Sequence, residues 1–163
     1  MSHAPHEIAR QVDDLQARYV RALDTRDLRG WLDTFRREPD TAYFCISAEN
    51  VERDLPIALM YDDCRDRIED RVVFIEKIWA GTFQDYRTRH FIQRLHVTSD
   101  PAGVVRVETN FSILFTPETG RTEVQVAGLY RDEIVIDDDG ARFRSKRAIY
   151  DTTILPRYIV YPF

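Results

Sequence analysis

Two cysteines in 163 residues, Cys45 and Cys64, are too few for a disulfide framework. A chain of this length can bury roughly 70% of its unfolded surface without one, so both are expected to be reduced packing residues. Glycine and proline are equally scarce, at six and seven residues, which excludes collagen-like and low-complexity chains. Long hydrophobic runs are missing as well. The longest mostly apolar stretch, Leu55 to Tyr61, includes Pro56 and falls far short of the ~20 residues that cross a bilayer, so no membrane partner is expected. Residues Met1 to Glu7 lack a basic patch followed by an apolar core, and a cytoplasmic location is the expectation that follows. Nor is there a basic excess: 23 Lys and Arg against 28 Asp and Glu, mixed along the chain, offer phosphates no stripe, and nucleic acid is not expected.

Glycine-rich phosphate loops and the Gly-x-Ser-x-Gly elbow are absent, which removes support for nucleotide binding and serine-hydrolase chemistry. Only four histidines occur. His3 and His6 fall in an N-terminus expected to fray, and His90 and His96, six apart on one strand, would stand roughly 20 Å from each other. They cannot share a metal, and no zinc, iron or Rieske-type centre is expected within this chain.

What is present is 44% hydrophobic and 12% aromatic residues, enough for one soluble globular domain spanning 1–163. Ile8, Val12, Leu15, Tyr19, Ala22 and Leu23 recur at steps of three and four and predict a helix from Pro5 to Asp24. Asp24 and Asp27 read as caps for a shorter helix carrying Leu28, Trp31, Leu32 and Phe35, stopped before Pro39. Ala42–Ser47 and Pro56–Tyr61 read as strands. Asp62 and Asp63 then open a helix through Ile68, Val72, Ile75 and Trp79, with Asp63 and Arg67 as an i,i+4 pair. After Gly81 the period becomes that of a strand: Phe91 to Val97, Val105 to Phe115, Thr122 to Asp137 and Arg142 to Leu155, joined by tight turns. Helices first and an antiparallel meander afterwards predict an α+β domain with the helices on one face of a curved sheet.

Tyr19, Asp24, His90, Arg147 and Asp151 are the residues that could share an acid–base pocket inside such a sheet. Each also has a plainer reading, His90 as scaffolding and Arg147 with Asp151 as an ion pair on one strand face. His90 has no partner that the sequence makes obvious. Trp79 to Arg89 interleaves aromatics with arginines and includes the interface candidates Trp79, Phe83, Tyr86, Arg87 and Arg89; the alternative is a loop sealing the sheet end. Arg89 and Asp151 are both expected in buried or interfacial ion pairs. The stretch Pro156 to Phe163 places Tyr158, Ile159, Val160, Tyr161 and Phe163 after a strand-ending proline; it is expected to dock on its own fold or on a partner, with an arm reaching a partner the favoured reading.

Taken in order, Ala22-Leu23-Asp24-Thr25-Arg26-Asp27 with Trp31, Tyr61-Asp62-Asp63 before a helix carrying Arg71-Val72, Arg87-Thr88-Arg89-His90 opening a strand, and Asp151 in a strand ending at Ile154-Leu155 resemble the small (beta) subunit of aromatic-ring-hydroxylating dioxygenases. The resemblance covers nearly the whole chain. It implies a cone-shaped α+β fold like those of nuclear transport factor, the cystatins and scytalone dehydratase, with a strongly curved, mainly antiparallel sheet. It also implies a large alpha subunit as partner, carrying the Rieske 2Fe-2S cluster and the mononuclear iron, and a homotrimer or α3β3 hexamer in which this chain is structural, non-catalytic and free of cofactors. The alternative is a stand-alone lyase or isomerase that works in the cone cavity, as scytalone dehydratase and ketosteroid isomerase do.

Overall fold

The computed structural model describes residues 5–163; His3 lies outside them. Helix α1 (Pro5–Asp24) buries Val12, Leu15, Gln16, Tyr19, Ala22 and Leu23 along one stripe, as the three-and-four spacing predicts. On its outer face Arg10 bridges Glu7 and Asp14 at 2.7 and 2.8 Å. The chain turns at Arg26, whose φ is 61°, and Asp27 caps α2 (Leu28–Leu32) by accepting the Gly30 N–H at 2.8 Å. That helix is shorter than expected. Thr34 and Arg36 exchange main-chain hydrogen bonds of 2.9 Å with Phe143, so Phe35 leaves the helix and joins the sheet as an isolated parallel bridge.

Strand β1 (Ala42–Ser47) forms where expected. Ser47 then caps a five-residue helix, α3 (Ala48–Glu52), which the residue pattern does not announce. The next strand, β2, is only Met60–Asp62, not Pro56–Tyr61. Pro56 has no N–H to give to a ladder, and pairing is confined to the residues opposite Tyr43 to Cys45. Helix α4 (Arg65–Val73) continues as a π-helical turn, Phe74–Ile78. Its cap position is Cys64, without a side-chain cap bond, because Asp62 accepts instead from Arg71 at 2.8 Å. Asp63 does pair with Arg67, at 3.1 Å.

The meander follows as β3 (Tyr86–Ser99), β4 (Val105–Pro117), β5 (Glu123–Asp137) and β6 (Gly140–Tyr150). The six-stranded sheet has the order β2-β1-β6-β5-β4-β3, antiparallel except where β1 lies parallel to β6 with Ala42 opposite Ser145. Register shifts at Arg94/His96, Ile113/Leu114 and Glu133/Ile134 bend the long strands, the device by which an antiparallel sheet curls into a cone.

The last shift decides what β6 points inward. Glu133 lies opposite Ser145 but Ile134 opposite Phe143, so Arg144 is the extra residue. Ala141 and Phe143 face the core before it, and Lys146 and Ala148 after it. Strict alternation would have put Ser145 and Arg147 inside.

Candidate functional site

The end of α1 and the start of β3 bring two of the expected pocket residues together. Asp24 Oδ1 lies 2.6 Å from His90 Nδ1, and Asp24 also accepts the His90 N–H and the Thr88 hydroxyl, each at 3.0 Å. Burial disfavours the Asp24 charge, but the hydrogen bonds and charge of His90 outweigh it and hold the carboxyl below its ordinary value. A carboxylate at Nδ1 assigns the ring proton of a neutral imidazole to that nitrogen and leaves Nε2 as an acceptor. The His90 side chain is 1% exposed, and its Nε2 is buried with no hydrogen-bond partner among the described residues. This is the arrangement of an oriented base, so His90 does have a partner, 66 residues away in sequence.

Five surface cavities, from about 390 to about 730 Å³, have none of Tyr19, Asp24 or His90 in their linings. The interior of the cone is filled by rings: Tyr19 meets Phe35, Tyr130 and Phe143 edge-on at 5.4 to 6.2 Å, and Phe111 stacks on Tyr130 at 4.2 Å. Among these rings sits an ion pair that the sequence reading did not name. Lys146 Nζ, fully buried, is 3.0 Å from Asp132 and 3.2 Å from Gln16 Oε1, with the faces of Tyr130 and Phe143 at 3.7 and 4.4 Å. Burial pushes Lys146 down to about 8 and Asp132 up, in each case against the attraction of its partner. Asp132 was the legible half, standing between the inward Tyr130 and Ile134 in strict alternation.

The other expected pocket residues are elsewhere. The β6 bulge turns Arg147 outward, over the Phe44 ring at 5.6 Å. Asp151 is exposed beyond the end of β6, and no ion pair joins it to Arg147. Arg89 is exposed and donates to the neighbouring Thr88 carbonyl, so neither it nor Asp151 is a buried ion-pair member in this chain. Ion pairs buried or half-buried on both sides include instead Arg71 with Asp62 and Lys146 with Asp132.

The aromatic loop seals the sheet end from inside. Tyr86 is buried, Phe83 and Tyr86 meet Tyr161 at 5.9 and 5.4 Å, and the Arg26 guanidinium lies 3.6 Å over Tyr161. Trp79 is half-buried against Phe74 at 6.0 Å, while Arg87 and Tyr158 stay exposed. The last segment is no free arm: Val160, Tyr161 and Phe163 are buried in this chain's own core. Burying a side chain of that size is worth roughly 1.5 to 3 kcal/mol, and the nearest apolar cleft is the mouth of its own cone.

Exposed apolar side chains include Phe91, Val124 and Ile154, and four more stand together on the irregular run into β2. Leu55, Ile57, Leu59 and Tyr61 point outward at alternate positions, Ile57 60% exposed. Tyr61 packs on Phe44 at 5.0 Å. From Phe44 a cavity of about 730 Å³ runs across the outer face of the sheet past His96, Arg106, Glu108, Arg131 and Arg147.

An α+β cone with a parallel β1–β6 join and, among the described residues, a single histidine–carboxylate pair has the nuclear-transport-factor-like fold. Its known relatives agree. The sequence profile described as "Ring hydroxylating beta subunit" matches residues 18–157. The anthranilate 1,2-dioxygenase small subunit of Burkholderia cepacia is 30% identical over 91% of this chain and 89% of its own length. Among solved structures, the beta subunit of a protein assigned as an aromatic-ring-hydroxylating dioxygenase from Novosphingobium aromaticivorans superposes with a TM-score of 0.81 at 31% identity, covering 93% of this chain and 94% of that one. The beta subunit of the benzoate 1,2-dioxygenase from Burkholderia mallei superposes with a TM-score of 0.73 over 93% of both chains, at 24% identity, a likeness of fold. The chain belongs to the family of ring-hydroxylating dioxygenase beta subunits.

Proposed function

We propose that this chain is the structural, non-catalytic small subunit of a multicomponent aromatic-ring-hydroxylating dioxygenase, working in the cytoplasm in the breakdown of aromatic compounds. Its partner is a large subunit that carries the Rieske 2Fe-2S cluster and the mononuclear iron, and the assembly is α3β3. The chain's own residues do not fit either iron group: among the described residues no three His, Cys, Asp or Glu side chains converge, and both cysteines are single. What supports the reading is the match of a ring-hydroxylating beta-subunit profile to residues 18–157, together with the aromatic rings that pack around Tyr19 in the interior of the cone. The pair itself, at 2.6 Å, favours the second reading, a lyase or isomerase, and the packing of the interior ranks it second.

The ribbon of Leu55, Ile57, Leu59 and Tyr61 supplies the exposed apolar area that a large subunit would cover. Co-expression with a large subunit bearing the Cys-x-His and Cys-x-x-His pairs tests this, with native mass spectrometry as the readout. The expected result is a mixed complex, and Ile57→Asp weakens it by about tenfold without lowering the melting point of this chain. Absence of any complex would refute the reading. Loss of turnover in fully assembled His90→Gln complexes would favour the second one.

A further inference from the structure

One row of side chains crosses the whole outer face of the sheet. Strand register places Tyr61 opposite Phe44, Phe44 opposite Arg147, Arg147 opposite Arg131, Arg131 opposite Glu108 and Glu108 opposite His96. Like charges directly opposite each other in a sheet repel, and Arg147 and Arg131 are such a pair. Glu108 relieves Arg131 at 3.2 Å. Arg106, in the next row, is taken by Asp100 at 2.9 Å and Glu133 at 3.7 Å. Arg147 has no carboxylate partner among the described residues; its guanidinium stands 5.6 Å from the centre of the Phe44 ring, which meets Tyr61 edge-on at 5.0 Å. From Phe44 to His96 the row lines the cavity of about 730 Å³, a volume within the range that holds a small ligand.

We propose that this outer cavity binds a small arene carboxylate, its carboxylate on Arg147 and its ring against Phe44. The charges of the lining select a monoanion. One arginine is left unneutralised, while Glu108 and Glu133 stand in the same lining and repel the second negative charge that a phosphate would bring. A guanidinium holds its charge across the physiological range and offers a planar fork that matches a carboxylate. An anion on Arg147 also offsets its repulsion with Arg131, so the site gains on binding what the empty row lacks. The neighbouring rings select the rest of the ligand: Phe44 is half-buried and Tyr61 exposed, and a flat aromatic guest meets them in edge-on or offset contact. Phe44, Arg131 and Arg147 alternate with the inward Tyr43, Tyr130 and Lys146, so the sheet itself walls this site off from the interior of the cone. The site therefore stands whichever function the Asp24–His90 pair serves.

The test titrates the full chain with sodium benzoate at low ionic strength, where exposed charges are least screened, and follows the main-chain amide and arginine signals by nitrogen–proton NMR. Benzamide, which keeps the ring and loses the charge, acetate, which keeps the charge and loses the ring, and inorganic phosphate are the comparison probes. The expected result is saturable benzoate binding with a Kd of about 1 mM, its shifts centred on Phe44, Arg131 and Arg147, and each comparison probe weaker by about tenfold. Arg147 is exposed, so Arg147→Gln keeps the fold, which the same spectra verify, and it should weaken benzoate about tenfold. Arg87→Gln, an exposed arginine outside this cavity, should leave benzoate binding unchanged. A benzoate Kd above about 20 mM, shifts centred elsewhere, equal binding of benzoate and acetate, tighter binding of phosphate, or equal effects of the two arginine substitutions would each overturn the proposal.

Discussion

The buried pair of Lys146 and Asp132 gives the sharpest quantitative test of the packing. Both side chains are fully buried, so the screening that makes surface ion pairs nearly worthless does not apply. Asp132→Leu leaves the Lys146 ammonium with one neutral acceptor, Gln16 Oε1 at 3.2 Å, and the faces of three aromatic rings. Stranding a buried charge costs roughly 3 to 5 kcal/mol. With a urea dependence of about 2 kcal/mol per molar for a domain of this size, the unfolding midpoint should fall by about 2 M. Lys146→Met alone should cost a similar amount by stranding the carboxylate. The double replacement should recover most of the loss, because a well-packed apolar pair replaces a buried ion pair at little or no cost. Urea unfolding followed by tryptophan fluorescence reads all three, since Trp31 is fully buried in the same core. Single variants that each cost under about 1 kcal/mol, or a double variant that costs their sum, would refute the reasoning.

Asp24, whose folded carboxyl is held below its ordinary 3.8, contributes stability that is present above that value and lost as pH falls through the lower, folded one. Asp24→Asn should therefore flatten the acid limb of a melting profile taken from about pH 6 to 2; an unchanged limb would show that the His90 contact carries no charge-dependent stability. Gly128→Ala should destabilise by roughly 1 to 3 kcal/mol in thermal melts, because the new Cβ would lie 2.0 Å from the main-chain oxygen of Ile149 on the neighbouring strand. A neutral effect would mean that β5 and β6 separate locally at no cost.

Local signals carried much of the fold, and each lost its force where distance intervened. The stripe of α1, the Asp27 cap, the Asp63–Arg67 pair and the turns of the meander are written within a few residues of where they act. The parallel pairing of β1 with β6 is not, since nothing near Ala42 names Ser145. The bulge at Arg144 is equally silent, yet it exchanges Arg147 for Lys146 at the core face. Asp24 and His90 were both legible as polar residues in a place for chemistry, but their contact depends on where α1 ends against β3. For the last segment the composition correctly demanded burial, and composition cannot say whether the cover is a partner or the chain's own cone.

The parallel join also sets an order of events during synthesis. β1 emerges from the ribosome early, but its parallel neighbour in the sheet is made about a hundred residues later, and at roughly 5 to 20 residues per second the wait is about 5 to 20 seconds. Until residue 150 is out, β1 and β2 can pair only with each other, and the ribbon at Leu55 to Tyr61 hangs from a hairpin rather than from a finished sheet. Non-local closure of this kind is slow. The face that carries this ribbon therefore becomes rigid only once β6 has been made.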